Sequence, residues 1–106
     1  MTTEAAIKAY VPMTETMYYI LLSLTEPKHG YGIMLNVADI TKGRIRIRPG
    51  TVYNSLARLE QDGLISIVAE TDRKKIYIIN NEGLGVLKTE IVRLGELFEN
   101  GRGIYG

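Results

Sequence analysis

Apolar side chains recur at helical spacing soon after a short N-terminal segment of residues 1 to 13. Thr14 has the side chain of a good helix N-cap, and the apolar positions from Met17 to Leu24 form one broad helical face. Pro27 cannot continue a helix. The pattern therefore predicts an amphipathic helix that begins after Thr14 and ends before this proline.

A second helix is predicted between Gly30 and Gly43. Ile33, Val37 and Ile40 recur at intervals of four and three residues, which places them on one helical face. Gly43 suits the left-handed conformation that commonly ends a helix. Two amphipathic helices in succession indicate that the domain begins with a helical core.

Residues 44 to 48 alternate strictly between arginine and isoleucine. This period of two predicts a short strand whose isoleucines are buried and whose arginines are exposed. Pro49 and Gly50 break the alternation, and either Gly50 or Thr51 is expected to cap a third helix. The chain is thus predicted to pass from helix to strand and back to helix within this short stretch.

The third predicted helix has two chemically distinct sides. Val52, Leu56 and Leu59 fall on one side and are expected to face the core. The other side carries the polar residues Asn54, Ser55, Arg58 and Gln61. Gly63 follows at the position where a helix commonly ends in a left-handed backbone conformation.

A β-hairpin is predicted directly after the third helix. Residues 64 to 71 and 75 to 79 are rich in β-branched side chains, and the polar residues 72 to 74 are short enough to form the turn between them. The turn and its edge carry Arg73, Lys74 and Lys75. The hairpin is therefore predicted to have a basic tip.

A last helix is predicted after Asn80, which can act as its N-cap. Its apolar residues, at successive spacings of three, four, three and four, are Leu84, Leu87, Ile91, Leu94 and Phe98. So narrow a seam favours packing against a second copy of the chain, although a helix folded back on its own domain would have the same periodicity. Residues 101 to 106 include three glycines and are expected to form a flexible tail.

Composition narrows the class of protein. A chain of 106 residues, 45% of them hydrophobic, can form one domain with one modest core. It contains no cysteine and a single histidine, His29, which argues against disulfides and against a metal site. Residues 1 to 13 lack the apolar run of a signal peptide, and no stretch has the length and hydropathy to span a bilayer. A cytoplasmic protein without membrane contact is expected.

The sequence does not favour catalysis. Its acidic residues form no pair of the kind that acid-base chemistry requires, and it has neither a glycine-rich phosphate loop nor a nucleophile motif. We therefore expect no catalytic residues, no cofactor and no enzymatic activity.

Positive charge is concentrated in one part of the chain. The net charge is only +1, yet residues 42 to 75 contain eight basic and four acidic residues, a local charge of +4. Both flanks are mildly acidic. A localised basic patch indicates contact with phosphates, although a solvated hairpin with ordinary surface charges would give the same pattern.

Short motifs occur along the predicted elements in a specific order. The first two helices contain Tyr19-Ile20-Leu21-Leu22-Ser23-Leu24 and His29-Gly30-Tyr31-Gly32-Ile33. The third helix and the strand after it contain Pro49-Gly50-Thr51-Val52-Tyr53, Leu56, Arg58-Leu59-Glu60 and Gly63-Leu64-Ile65. The second strand and the last helix contain Arg73-Lys74-Lys75-Ile76-Tyr77 and Gly83. In this order and spacing, from Thr14 to Leu97, the chain resembles the PadR family of bacterial and archaeal transcriptional regulators.

The resemblance implies an α+β, mostly helical fold, a winged helix-turn-helix with a C-terminal dimerisation helix. It divides the chain into an N-terminal extension (1–13), a winged-helix DNA-binding domain (14–79), a dimerisation helix (80–100) and the flexible tail (101–106). A single C-terminal helix resembles the smaller class of the family. In some relatives an added N-terminal helix lies against the partner's terminal helix, and Ala5, Ala6, Ala9 and Tyr10 are compatible with that role.

The third helix supplies the predicted contacts to bases. With Val52 facing the core, helix geometry turns Thr51, Asn54, Ser55 and Arg58 outward. Asn54 is suited to adenine and Arg58 to guanine, because each can form two hydrogen bonds to that base. Thr51 and Ser55 are better suited to phosphates.

The predicted hairpin, which corresponds to the wing of this fold, and the start of the third helix supply the predicted contacts to the DNA backbone. Arg73, Lys74 and Lys75 are expected to contact phosphates or enter the minor groove. Arg48 is expected to bind a phosphate at the start of the helix. For Tyr53 the resemblance favours a hydroxyl that reaches a phosphate, and an aromatic side chain with a solvated tip is the alternative.

The leading hypothesis is a sequence-specific, homodimeric repressor that binds a pseudo-palindromic operator in double-stranded DNA. One alternative is a winged-helix module that binds protein instead of DNA. Another is a regulator that also senses a small apolar molecule between the terminal helices. Since the chain has no tryptophan, such a pocket would rely on tyrosine, methionine, Phe98 and aliphatic side chains.

Overall fold

The computed structural model describes residues 1 to 105, and these residues form five helices and one two-stranded antiparallel sheet. In chain order the elements are α1 (Thr3–Tyr10), α2 (Glu15–Ser23), α3 (Gly30–Ile40), α4 (Pro49–Gln61), β1 (Ile65–Thr71), β2 (Lys74–Ile79) and α5 (Asn81–Tyr105). The predicted α+β, mostly helical fold class is confirmed. In this part of the chain no helix combines the length and the apolar character needed to cross a lipid bilayer.

The core lies where α2, α3 and α4 meet, and the beginning of α5 closes it. Its most deeply buried side chains are Ile20, Leu21, Leu24, Ile33, Val37, Val52, Leu56, Leu59, Leu64, Val86 and Leu87. The predicted core side of α4 is therefore confirmed. Ile40 shares the spacing of Ile33 and Val37 but is 46% exposed, because α3 ends there and the buried Thr41 closes this end of the core.

The strand predicted at residues 44 to 48 is wrong. The segment pairs with no strand in residues 1 to 105, although Ile47 is buried and the arginines are exposed, because the isoleucines pack against the helical core instead of a sheet. α4 then begins at Pro49 with Arg48 in the N-cap position, so the cap expected at Gly50 or Thr51 is also wrong. Proline suits the first helical turn because its fixed φ matches the helix and it has no N–H to leave unpaired.

β1 and β2 form the predicted hairpin, which we call the wing. Asp72 and Arg73 make its turn, both with positive φ, 44° and 68°, the type I′ geometry of a two-residue connection. Lys74, predicted to lie in the turn, begins β2. The backbone of Tyr77 exchanges two hydrogen bonds with Lys28, at 2.9 and 3.0 Å. These bonds fix the wing to the loop before α3.

α5 is the longest helix of the described chain, with 25 residues, and it has two parts. Asn80 caps it as predicted, accepting a hydrogen bond from the Gly83 N–H at 2.9 Å. Up to Glu90, one side of the helix is buried against the core, whereas beyond Glu90 its side chains are half-buried or exposed. The helix continues to Tyr105, so the predicted flexible tail is wrong for these residues, and Gly106 lies outside the described chain.

The predicted apolar seam of α5 is divided between the two parts. Leu87 is buried in the core of its own chain, so its assignment to a dimer interface is corrected. Leu84 and Leu94 are half-buried, and Ile91 and Phe98 are exposed. The arrangement in which α5 folds back on its own domain therefore holds for the first part of the helix alone.

The end of α5 is stabilised by contacts within the helix. Arg102 pairs with Glu99 at 3.1 Å and lies over the Phe98 ring at 5.6 Å, and both contacts favour helix beyond residue 100.

Residues 1 to 13 contain α1, which packs against α5 of the same chain. Ala6 and Tyr10 are buried on its inner side. At its other end, the Thr3 hydroxyl donates a hydrogen bond to the Glu82 carboxylate at the start of α5. The segment is therefore part of the packed domain.

Candidate nucleic-acid interface

The wing and the start of α3 face each other across a groove of about 280 Å³. Its walls are formed by His29, Gly30, Tyr31, Tyr53, Arg73, Lys74, Lys75 and Tyr77. The charged side chains Arg73, Lys74 and Lys75 are basic and exposed. The structure thus brings the predicted wing residues together with Tyr53 of α4 on one positively charged surface, which we call the basic groove.

Tyr53 lies across the start of α3. Its ring is so close to Gly30 that a β-carbon on this glycine would come within 2.6 Å of it. Glycine is therefore needed at this helix start to admit the ring. Tyr53 is nevertheless 52% exposed, so it packs beside the helix rather than in the core and presents a fixed edge to the basic groove.

Two groove residues, His29 and Tyr31, were not among the predicted DNA contacts. His29 is the N-cap of α3, and its Nδ1 accepts a hydrogen bond from the Gly32 N–H at 3.1 Å. The neutral ring must then carry its proton on Nε2. Its ring is nearly parallel to that of Tyr31, with centroids 6.4 Å apart. Histidine is not among the usual N-cap residues, so this role could not be predicted from the residue type.

The polar side of α4 faces solvent as predicted. Thr51, Asn54 and Arg58 are exposed, Ser55 is half-buried, and Arg48 is exposed at the N-cap. Thr51 and Asn54 lie in the first two turns, the part of a recognition helix that reaches base edges. Arg58 lies one turn further along, at a greater distance from the helix start.

Arg58 contacts two residues that the sequence did not connect with it. Its guanidinium lies over the ring of Tyr10 from α1, 4.3 Å from the ring centre, and its Nε is 3.9 Å from the Asp62 carboxylate. The Tyr10 hydroxyl donates a hydrogen bond to the same carboxylate at 2.7 Å. Burial, and next the bond to Asp62, raise the pKa of Tyr10, so its hydroxyl remains a proton donor. We call these residues the Tyr10–Arg58–Asp62 cluster.

Arg44 is exposed, as predicted, but it is also bonded to the Glu15 carboxylate at the start of α2. This hydrogen bond raises the pKa of Arg44 and lowers that of Glu15. Since Glu15 comes from outside the basic stretch of sequence, it offsets part of the local charge. Arg44 is thus partly neutralised, whereas Arg46 and Arg48 of the same segment are exposed outside this ion pair.

A second cavity, of about 320 Å³, lies between α2 and α5. It is lined by Met13, Glu15, Tyr18, Tyr19, Glu90 and Leu94. Glu90, 1% exposed, accepts hydrogen bonds from Arg93 at 2.5 and 2.9 Å and from the Met13 N–H at 2.7 Å. The bonds from Arg93 lower the pKa of Glu90, which therefore stays ionised. Among residues 1 to 105, no three His, Asp or Glu side chains are grouped to hold a metal ion.

Comparison with known proteins gives a consistent result. Residues 19 to 89 match the model of the transcriptional regulator PadR-like family. No curated protein matches the sequence significantly.

Solved structures of transcriptional regulators share the fold. A PadR family regulator from Eggerthella lenta is 29% identical, with a TM-score of 0.66 over 84% of this chain and 79% of that one. A PadR family regulator from Clostridium difficile is 20% identical, with a TM-score of 0.70 over 88% of this chain and 100% of that one. A transcriptional regulator from Clostridium thermocellum is 24% identical, with a TM-score of 0.68 over 99% of this chain and 98% of that one. The winged-helix fold is thereby confirmed.

Proposed function

Because the chain belongs to the PadR-like family, whose members are transcriptional regulators and not enzymes, we propose that it binds double-stranded DNA sequence-specifically. We further propose that the protein is a homodimer, that it binds a pseudo-palindromic operator and represses transcription from it, and that it acts in the cytoplasm. The basic groove is the observation that carries it, since it combines exposed cations with the exposed aromatic side chains of Tyr31 and Tyr53.

α4 and the wing have different tasks in this proposal. α4 enters the major groove, which is about 12 Å wide and admits one helix, so that Asn54 and Arg58 reach base edges while Thr51 and Ser55 contact phosphates. The wing lies along the adjacent backbone, where Arg73, Lys74 and Lys75 neutralise phosphates. The wing is hydrogen-bonded to the loop before α3, and α3 packs against α4, so these two surfaces keep a fixed separation.

His29, Tyr31 and Tyr53 add hydrogen-bond donors between these surfaces. Tyr53 is held by its contact with Gly30, and the His29 cap leaves Nε2–H as the donor of that ring. Donors of this kind contact phosphate oxygens and set the position of a protein on the duplex. We therefore extend the predicted DNA-contacting set by His29 and Tyr31.

The exposed part of α5 supports the proposed dimer. Large apolar side chains exposed along it include Ile91, Val92, Leu97, Phe98, Ile104 and Tyr105. At 3.6 residues per turn, Ile91, Phe98 and Tyr105 recur along one side of the helix, and an exposed apolar stripe of this kind marks an interface. Paired about a two-fold axis, two α5 helices would place the two α4 helices about one DNA turn, roughly 34 to 36 Å, apart.

A titration of labelled random-sequence duplex DNA tests the DNA-binding proposal. At about 50 mM salt the protein should bind, and at about 200 mM salt the affinity should fall by orders of magnitude because phosphate contacts release counterions. A protein that shows no affinity for duplex DNA at the lower salt concentration would instead fit the protein-binding module.

A second proposal concerns an effector. The cavity between α2 and α5 has tyrosine, methionine and leucine side chains in its walls and lies beside the exposed part of α5. A small apolar or aromatic molecule bound there would contact the helix that we propose to join the two copies. Tyr18→Ala should then weaken binding of such a molecule, measured by calorimetry, without weakening DNA binding.

A further inference from the structure

The Tyr10–Arg58–Asp62 cluster joins a helix outside the winged-helix motif to the recognition helix. Tyr10 belongs to α1, whereas Arg58 lies on α4 and Asp62 directly follows it. The ring of Tyr10 covers one face of the guanidinium, and its hydroxyl bonds the carboxylate that also attracts Arg58. Each of the three side chains thus contacts the other two.

These contacts restrict Arg58 without burying it. Its side chain remains 55% exposed, so guanidinium N–H groups are left to meet a base. An unrestrained arginine loses considerable rotamer freedom when it binds, whereas a stacked guanidinium keeps its planar edge in one orientation. An arginine held in this way is prepared for the paired hydrogen bonds that distinguish guanine.

Tyr10 is itself firmly placed. It is 4% exposed, α1 is bonded to α5 through Thr3 and Glu82, and the segment that follows α1 is bonded to α5 through the Met13 N–H and Glu90. The ring under Arg58 therefore belongs to a packed element and not to a mobile terminus. Its orientation follows that of α5.

We propose that Tyr10 is a positioning residue for Arg58, holding the guanidinium so that it discriminates more strongly at one base pair of the operator. The inference rests on the proposed DNA binding and adds to it a role for residues 1 to 13. In this role α1 contributes to sequence preference through Arg58, which touches the base, while Tyr10 supports it.

A double-mutant cycle on DNA tests this inference. Arg58→Ala should lower the preference for one base pair by about 5- to 150-fold and so identify the position. Tyr10→Leu should lower the preference at that same position at least threefold and leave the other positions unchanged. The double variant should be no worse there than Arg58→Ala alone, because the effect of Tyr10 acts through Arg58. Tyr10→Phe, which keeps the ring, should retain most of the preference.

Glu4→Gln is the matched control, since it changes an exposed side chain of α1 that contacts no member of the cluster. Thermal melting shows whether Tyr10→Leu is folded; if it is not, Tyr10→Met, which also lacks the aromatic face, replaces it in the cycle. Equal weakening at all positions, or additive effects of Tyr10 and Arg58, would overturn the inference. So would duplex binding with no base preference that depends on Arg58, although the proposed function would stand. Failure of the wild-type protein to bind duplex DNA would overturn both.

Discussion

The two sides of this domain hold their charged groups in opposite ways. Around the basic groove, Arg73, Lys74 and Lys75 are exposed. Against α5, Glu90 is buried and bonded to Arg93 and to a backbone N–H. Exposed charges contribute little to folding but can meet a phosphate, whereas a buried carboxylate is costly unless it is paired. The groove should therefore govern binding, and the packed side should govern stability.

The part of α5 beyond Glu90 is exposed, like the charges of the groove, although it continues a packed helix. If exposure decides which residues govern binding, changes here should alter DNA binding and not stability, and this effect should be the largest. Ile91→Asp combined with Phe98→Asp should give a folded monomer, because both side chains lie outside the core. DNA affinity should fall about 100-fold or more, since the two half-sites are no longer bound together. Sedimentation velocity and a DNA titration measure the two effects. Lys88→Asp, also on α5, is the control, and a double variant that remains dimeric would place the interface elsewhere.

Removal of the wing charges should affect binding alone. With Arg73, Lys74 and Lys75 all changed to alanine, affinity at low salt should fall roughly 10- to 100-fold, and the salt dependence should flatten by up to about 2.7 in log–log slope per chain. The free energy of unfolding should change by less than about 0.5 kcal/mol. Lys8→Ala with Lys88→Ala removes positive charge elsewhere and should leave the slope unchanged. An equal loss in that control would mean that overall charge, not the wing, determines binding.

Glu90→Gln should lower the stability of the protein and leave its DNA affinity unchanged, the reverse of the wing variant. Loss of the charged partner of Arg93 should lower the free energy of unfolding by roughly 2 kcal/mol at neutral pH. Chemical denaturation measures this, with the exposed Glu96→Gln as control.

The pH dependence of the free energy of unfolding provides a second test of the pair formed by Glu90 and Arg93. Because the pKa of Glu90 is lowered in the folded protein, its contribution is complete above the ordinary carboxylate value and is lost as the pH falls through the lowered one. The difference between wild type and Glu90→Gln should therefore shrink in acid. A difference that is constant from neutral pH to about pH 2, well below the ordinary carboxylate range, would contradict the role of the charged pair.

Gly30→Ala should have the smallest effect of these changes, and it should lower DNA affinity without lowering stability. The new β-carbon would displace the exposed Tyr53 ring, which can move without disturbing the core. Affinity should fall about fivefold, equivalent to one hydrogen bond of about 1 kcal/mol, while the melting temperature stays nearly unchanged. Gly32→Ala, where the nearest atoms are 3.7 Å away, is the control. A large loss of stability in Gly30→Ala would show that Tyr53 is a core residue.

The elements with strong local signals could be predicted from the sequence. The buried side of α4 follows from the spacing of Val52, Leu56 and Leu59, and the cap of α5 from Asn80. The alternation at residues 44 to 48 gave the correct exposure but the wrong structure. A strand needs a hydrogen-bonding partner, and the period of two shows burial without showing that a partner exists.

The contacts that complete the site join residues far apart in sequence. Tyr10 of α1 meets Arg58 and Asp62 at the end of α4 although the helix itself packs against α5, and Glu90 accepts a hydrogen bond from Met13, 77 positions away. Periodicity and capping describe single elements, so they could identify Arg58 as exposed but not the ring that holds it. The family resemblance predicted which helix and hairpin would contact DNA, and the structure shows that His29 and Tyr31 line a groove with the wing, which led us to propose them as further contacts.

Selection of bound sequences from a random duplex pool tests the central claim most directly. A two-fold dimer with one α4 helix in each half-site predicts enrichment of an inverted repeat whose half-sites are centred about 10 to 10.5 base pairs, or a multiple of this, apart. Enrichment of unrelated sequences without a repeat, or no enrichment over the starting pool, would contradict it.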